Sequence, residues 1–181
     1  MLITPEYKEQ LVLKHTKKPW GGGGKSWVPL LEKEVNIGAA SLVLDYGCGR
    51  HTFKEAMTEL YPSVIVDEYD PGVPGFDELP KDSYRVYDVV VCTDVMEHVE
   101  EQFTTTTLMT IRDLTRCVAF FNIVTTPCSS TLPDGRNTHI NLKSVDDWML
   151  ELEGVFHSGD GWDYQILERK GRLVCIIRST I

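Results

Sequence analysis

Ser41-Leu-Val-Leu-Asp-Tyr-Gly-Cys-Gly-Arg50 is the stretch that decides the fold. A short apolar run, Leu42 to Leu44, ends in Asp45. Gly47 and Gly49 then bracket a tight turn, and helical spacing follows from about Thr52 to Leu60. A strand that breaks on glycine and runs into a helix opens an α/β sheet. There the first such turn is the usual cradle for a nucleotide-like ligand, because glycine lets the ligand approach the backbone and the helix start offers free N–H groups.

Outward from this turn, the pattern predicts strands at Ser63–Asp70, Val86–Thr93, Val118–Thr125, Gly161–Glu168 and Arg172–Arg178. Helices are expected at Pro5–His15, capped by Thr4, at Val28–Ile37, ended by Gly38, and at Ser144–Leu152. Another should run from Asp94 to about Arg116, broken near Thr104–Thr107 by β-branched residues. The tight Lys170-Gly171 link makes the last two strands an antiparallel pair. The alternation implies a three-layer, Rossmann-like α/β sheet, mostly parallel, in a single domain. Residues 1–38 form N-terminal helices and a glycine-rich flap ahead of a core at 39–181.

The composition is that of a soluble globular protein, with 42% apolar and 25% charged residues among 181. No apolar run approaches the roughly 20 residues that span a bilayer. Met1 to Glu6 lacks the basic-then-apolar layout of a secretory signal, so a cytoplasmic location is expected. The five cysteines contain no CxxC pair and should be reduced, with Cys92, Cys117 and Cys175 in the core. A net charge of −9 disfavours duplex nucleic acid, whose binding rests on Lys and Arg. Lys14, Lys17, Lys18 and Lys25 read as a solvated helix end and loop.

Asp70 ends the second strand 21 positions after Gly49, close to the roughly 20 at which an acid meets ribose hydroxyls. The dinucleotide fingerprint G-x-G-x-x-G fails, because Arg50, His51 and Thr52 follow Gly49. The pattern Leu44-Asp-Tyr-Gly-Cys-Gly49 instead resembles motif I of class I S-adenosylmethionine-dependent methyltransferases. The resemblance continues through Tyr87 to Val99 (fourth strand and following turn) and Asn122 to Pro127 with the loop ending at His139. It is nearest to small stand-alone enzymes, phage ones included, and to ubiquinone-pathway O-methyltransferases.

The resemblance implies a cofactor, S-adenosylmethionine, whose ammonium end is ordered by Asp45. The backbone of Gly47, Cys48 and Gly49 would lie against its methionyl group and ribose, and Asp70 would take the ribose hydroxyls. It extends the cofactor-binding set to Tyr69, Pro71, Thr93 and Asp94. There are departures. His51 stands where many relatives have a third glycine. Only 18 positions, with Pro71, Pro74 and Pro80 among them, separate Asp70 from Asp88, so the third strand and its helix should be shortened or missing. Phe76 to Pro80 would then cover the adenine.

Methyl transfer needs an aligned acceptor and, for a hydroxyl, a base. His98, His139 and Asp94 are the expected catalytic residues, with O-methylation of a small-molecule or nucleotide-like acceptor the expected chemistry. Asp94, Glu97, His98 and His139 also resemble a Glu-x-x-Glu-His plus His set that binds a divalent cation such as magnesium in some relatives. Against that, Asp94 and Glu97 fit a capping box. Arg136 could hold an anionic substrate group, or serve a turn on Asp134-Gly135. Trp20 and Trp27 edge the glycine loop, which reads equally as a flap near a ligand or as a mobile connector; as a flap it places both at the substrate. Two rival readings stand beside the enzyme: a non-catalytic S-adenosylmethionine-binding module, and a P-loop protein using Gly21 to Ser26. The second lacks its first glycine, since Pro19 occupies that position.

Overall fold

The computed structural model describes residues 2–17, 20–79 and 86–181. Its centre is a six-stranded sheet in the order β2-β1-β3-β4-β6-β5, formed by β1 (Leu42–Tyr46), β2 (Ile65–Tyr69), β3 (Tyr87–Thr93), β4 (Thr115–Val124), β5 (Trp162–Arg169) and β6 (Arg172–Ser179). β2, β1, β3 and β4 are parallel, whereas β6 runs antiparallel to both β4 and β5. This is the expected mostly parallel sheet with an antiparallel C-terminal pair. β1 and β3 are buried on both faces, which is why they read as near-continuous apolar runs. Among the described residues no strand lies between β2 and β3, as the prolines foretold. The Pro80 end of the segment expected over the adenine falls outside the described residues, as do Lys18 and Pro19.

Two apolar layers sandwich the sheet. One gathers Leu44, Val90, Phe121, Trp148 and Ile177 beneath α4 (Thr104–Leu114) and α5 (Val145–Glu153). The other gathers Val43, Val66, Val91, Phe120 and Ile176 against α2 (Val28–Val35) and α3 (Thr52–Leu60). α5 starts on a full capping box: Ser144 Oγ accepts from Asp147 N, and the Asp147 carboxylate accepts from Ser144 N. α1 (Pro5–Lys17) stands apart and packs Tyr7 and Leu11 on Leu132 of the long loop after β4.

Three expectations need correction. The residues after β3 do not form a helix at Asp94. They make short 3-10 turns at Met96–His98 and Glu101–Phe103, and α4 begins at Thr104. The threonines start this helix rather than break it. No capping box joins Asp94 and Glu97, because Asp94 has φ of 55° and its side chain turns elsewhere. α2 ends on Asn36 in the left-handed conformation, so Gly38 is not its terminating glycine. Gly38 instead lies where a Cβ would come within 2.6 Å of the Tyr61 ring. Cys117 is exposed: the register of β3 on β4 shifts between Tyr87 and Val89, and at that irregularity Arg116 and Cys117 of β4 both face solvent.

The turn after β1 is the most constrained point of this frame. Gly47 has φ of 91°, and a Cβ there would sit 2.2 Å from Val95 Cγ2. Gly47→Ala is expected to cost about 2–3 kcal/mol in urea unfolding. Adding Val95→Ala should recover the part due to the clash and leave roughly 1 kcal/mol from the backbone; equal stability of the single variant and wild type would contradict this account.

Candidate active site

A cavity of about 290 Å³ opens beyond the carboxyl ends of β1, β2 and β3. Strand order reverses there, with β1 between β2 and β3, which is where open α/β sheets bind ligands. The floor is the glycine turn with Asp45, Asp70, Pro71, Thr93 and Asp94. The roof is α1, through Tyr7, Leu11 and His15, together with Trp20 and Gly21 to Gly24.

The turn is held by backbone. Gly47 N and Cys48 N both donate to Tyr69 O, at 2.7 and 3.1 Å. Gly49 N donates to Asp70 Oδ2 at 3.0 Å and Gly72 N to Asp70 Oδ1 at 2.8 Å. Gly21 O accepts from Arg50 N, so the glycine segment is strapped to the turn it covers. A Cβ on Gly49 would meet Gly21 O at 2.5 Å. The flap therefore touches the turn only because both sides are glycine.

Carboxylates dominate the floor. Asp45 is only 3% exposed, lines the cavity, and has no hydrogen-bonding partner for its side chain among the described residues. Burial, then the charges of Glu68 and Asp70, raise its pKa well above the usual carboxylate range. The same burial and the same acids push the Cys48 thiol up, so it is neutral and not a nucleophile. Glu68 itself is paired with His51 Nδ1 at 2.8 Å and Lys54 Nζ at 3.2 Å.

At the other end, His98 and His139 stand with ring centroids 4.9 Å apart. His98 Nδ1 lies 2.6 Å from Thr138 O, and His139 Nδ1 lies 2.6 Å from Thr126 O. A carbonyl only accepts, so each Nδ1 carries a proton, which leaves Nε2 as the nitrogen with a lone pair whenever the ring is neutral. Burial pushes His98 down to about 4. Glu97 is fully buried; its carboxylate accepts from Val124 N at 3.2 Å, while Oε2 has no partner. Burial pushes it up to about 8.

The structure brings Asp45, Gly47, Cys48, Gly49, Asp70, Pro71, Thr93, Asp94, His98, His139 and Trp20 to this one cavity. Four others, Trp27, Arg136, Tyr69 and Glu97, do not line it. Trp27 is buried in the α2/α3 layer against Phe120, with Arg169 and Arg172 over its ring. Its spacing beside the glycines reflected core packing. Arg136 pairs with Asp134 at 2.7 Å on the turn and lies over the Tyr7 ring, and it does not line the cavity. Tyr69 serves through its carbonyl, while its ring packs on Tyr46. Glu97, His98 and His139 have donor atoms within 4.8 Å of one another, but Asp94 is not with them. Its Oδ1 accepts from Asn122 Nδ2 at 2.7 Å, with Arg172 at 3.9 Å.

Tyr7, Leu11 and His15 escaped the sequence reading. They recur every four residues, one face of a helix, and that spacing was the available signal.

The fold and cavity define a class: open, mostly parallel α/β sheets with a cavity at the glycine turn after the first strand. A family model described as a methyltransferase domain matches residues 25–155. The chain belongs to that family. Its fold is similar to that of Burkholderia thailandensis 1,6-didemethyltoxoflavin-N1-methyltransferase, solved with its substrate and S-adenosylhomocysteine. That pair shares 18% identity and a TM-score of 0.65 over 100% of this chain and 92% of that one. The plantazolicin methyltransferase BpumL, solved with S-adenosylhomocysteine, gives 9%, 0.63, 97% and 96%. An O-methyltransferase family protein from Burkholderia thailandensis gives 13%, 0.61, 87% and 57%, so the chain spans little more than half of that protein. No curated protein sequence matches the chain.

Because burial raises the pKa of Asp45 above its unfolded value near 3.8, the folded chain holds that proton more tightly than the unfolded one, and stability is lost as pH rises above 3.8. Asp45→Asn removes that loss. The variant should therefore gain more Tm over wild type at pH 8 than at pH 5, as read by thermal unfolding; an equal or reversed difference would rule out the buried acid as the cause.

Proposed function

We propose that this chain is an S-adenosylmethionine-dependent methyltransferase acting on a small-molecule acceptor, by O-methylation, in the cytoplasm. The observation that carries the reading is the pairing of a glycine turn with two buried carboxylates, Asp45 and Asp70. A phosphate would be repelled from such a floor. A ligand with a cationic head and a ribose suits it: Asp45 is free to meet an ammonium group, and Asp70 to accept from hydroxyls. The closeness of Gly47 and Gly49 to their neighbours leaves the turn bare of side chains, as a cofactor lying on backbone requires. That residue set fits S-adenosylmethionine, which when bound supplies an electrophilic methyl carbon on a sulfonium.

The chain's own residues do the rest. Gly47 to Gly49 and Asp45 fix the donor end. Tyr7, Leu11 and Trp20 wall off water on the acceptor side. His98 and His139, held by Thr138 O and Thr126 O, present Nε2 lone pairs. Either would take the acceptor's hydroxyl proton at Nε2, leaving the acceptor oxygen as the nucleophile toward the methyl group that the cofactor would supply. The P-loop alternative finds little support: Gly24–Trp27 is one 3-10 turn leading into α2 rather than the turn after a buried strand, and Lys25 is exposed.

The unpartnered Oε2 of Glu97 favours a second use of the same corner. With both histidine Nδ1 atoms anchored on carbonyls, Glu97, His98 and His139 fit a divalent cation, and Asp94 drops out of the set. Two imidazoles and one carboxylate suit manganese, iron or zinc better than magnesium. Such an ion would orient an acceptor hydroxyl and make it more acidic.

Two measurements check these readings. Calorimetry with S-adenosylhomocysteine should show binding, weakened by about 1–3 kcal/mol in Asp70→Ala; binding of ATP alone would overturn the proposal. Titration with Mn²⁺ should show a site that Glu97→Gln or His139→Ala weakens by at least roughly tenfold. Asp94→Asn should leave that site nearly unchanged, and a metal-blind chain would leave the histidines as bases only.

A further inference from the structure

His15 lies on the cavity face of α1, one helical turn beyond Leu11. Its Nε2 is 3.9 Å from Asp70 Oδ1. That is too long for a hydrogen bond and short enough for one oxygen atom to bridge the two. Neither ring nitrogen of His15 has a hydrogen-bond partner among the described residues, although its side chain is only 11% exposed. Its ring is fixed from two sides, by Trp20 at a centroid distance of 5.0 Å and by Gly72, where a Cβ would come within 3.1 Å of His15 Cδ2. Asp70 is equally fixed, since one backbone N–H binds each of its oxygens. A carboxylate with two such bonds retains lone pairs for two more. A rigid donor therefore faces a rigid acceptor across a gap of one hydroxyl.

We propose that His15 and Asp70 together form the ribose clamp, with one ribose hydroxyl accepting from His15 Nε2–H and donating to Asp70 Oδ1. This rests on the S-adenosylmethionine reading and adds to it a contact from outside the sheet. Burial lowers the pKa of His15 and so favours the neutral ring, whose single N–H would sit on Nε2 to face Asp70. The clamp makes α1 part of the cofactor site rather than a cover over it. Three polar clasps hold the helix in that place: Thr4 to Glu100 at 2.8 and 2.9 Å, Lys8 to Asp77 at 2.7 Å, and Lys14 to Thr131 O at 2.7 Å. They bring His15 to Asp70 before any ligand arrives.

The test compares two ligands on three proteins by calorimetry: S-adenosylhomocysteine and its 2′,3′-dideoxy analogue, on wild type, His15→Ala and His15→Phe. Phenylalanine keeps the ring against Trp20 but removes the donor. Both variants should bind S-adenosylhomocysteine about tenfold more weakly than wild type, the effect of one lost hydrogen bond in a closed site. The analogue, lacking both hydroxyls, should bind all three proteins alike. Equal weakening of both ligands would assign His15 to packing and overturn the clamp, as would unchanged affinity for S-adenosylhomocysteine. Failure of the folded wild type to bind S-adenosylhomocysteine at all would instead fell the cofactor reading.

Discussion

No side chain fits at Gly47 or Gly49, and the rest of the site depends on that. Val95 closes one side of the turn and the Gly21 carbonyl the other. With Val95 and the Gly21 carbonyl so close on either side, the carbonyl of Tyr69 receives Gly47 N and Cys48 N together, and Asp70 receives Gly49 N. These bonds tie the end of β2 to the end of β1 more firmly than strand pairing alone would. The acid at the end of β2 therefore does not move as a free side chain. It is oriented by the turn, and the turn is oriented by the two glycines.

Much of this was legible in the sequence. A strand buried on both faces announces itself as an apolar run, so β1, β3 and β6 stood out, and the spacing from Gly49 to Asp70 survives as a direct bond. The misreadings share a physical cause. Asp94 takes a positive φ to reach Asn122, and no local pattern signals a conformation that a distant partner stabilises. Trp27 and Trp20 flank the same glycines, yet one faces the core and the other the cavity, a difference set by how the chain folds back over α3. His15 looked isolated because its partner stands 55 positions away in the sequence.

The division of labour follows from the layers. The sheet supplies a rigid floor of backbone and carboxylates. The rest of the cavity wall is built from the loop ending at His139, from the turns after β3, and from α1, none of which belongs to the sheet. Neighbours with the same sheet methylate different atoms, as the N1-methyltransferase and the O-methyltransferase family protein illustrate. That is the expected outcome when binding chemistry sits in connections and stability sits in strands.

Trp20 has a use beyond walling the cavity. Its indole lies 5.0 Å from the ring of His15 and 4.8 Å from the ring of His98, so a single chromophore spans both ends of the chamber. Trp27 and Trp148 are sealed in the two apolar layers, and Trp162 packs at the edge of one of them. The protein thus carries its own optical reporter: of its four tryptophans, Trp20 is the one that lines the chamber, so filling either end changes the surroundings of that ring first.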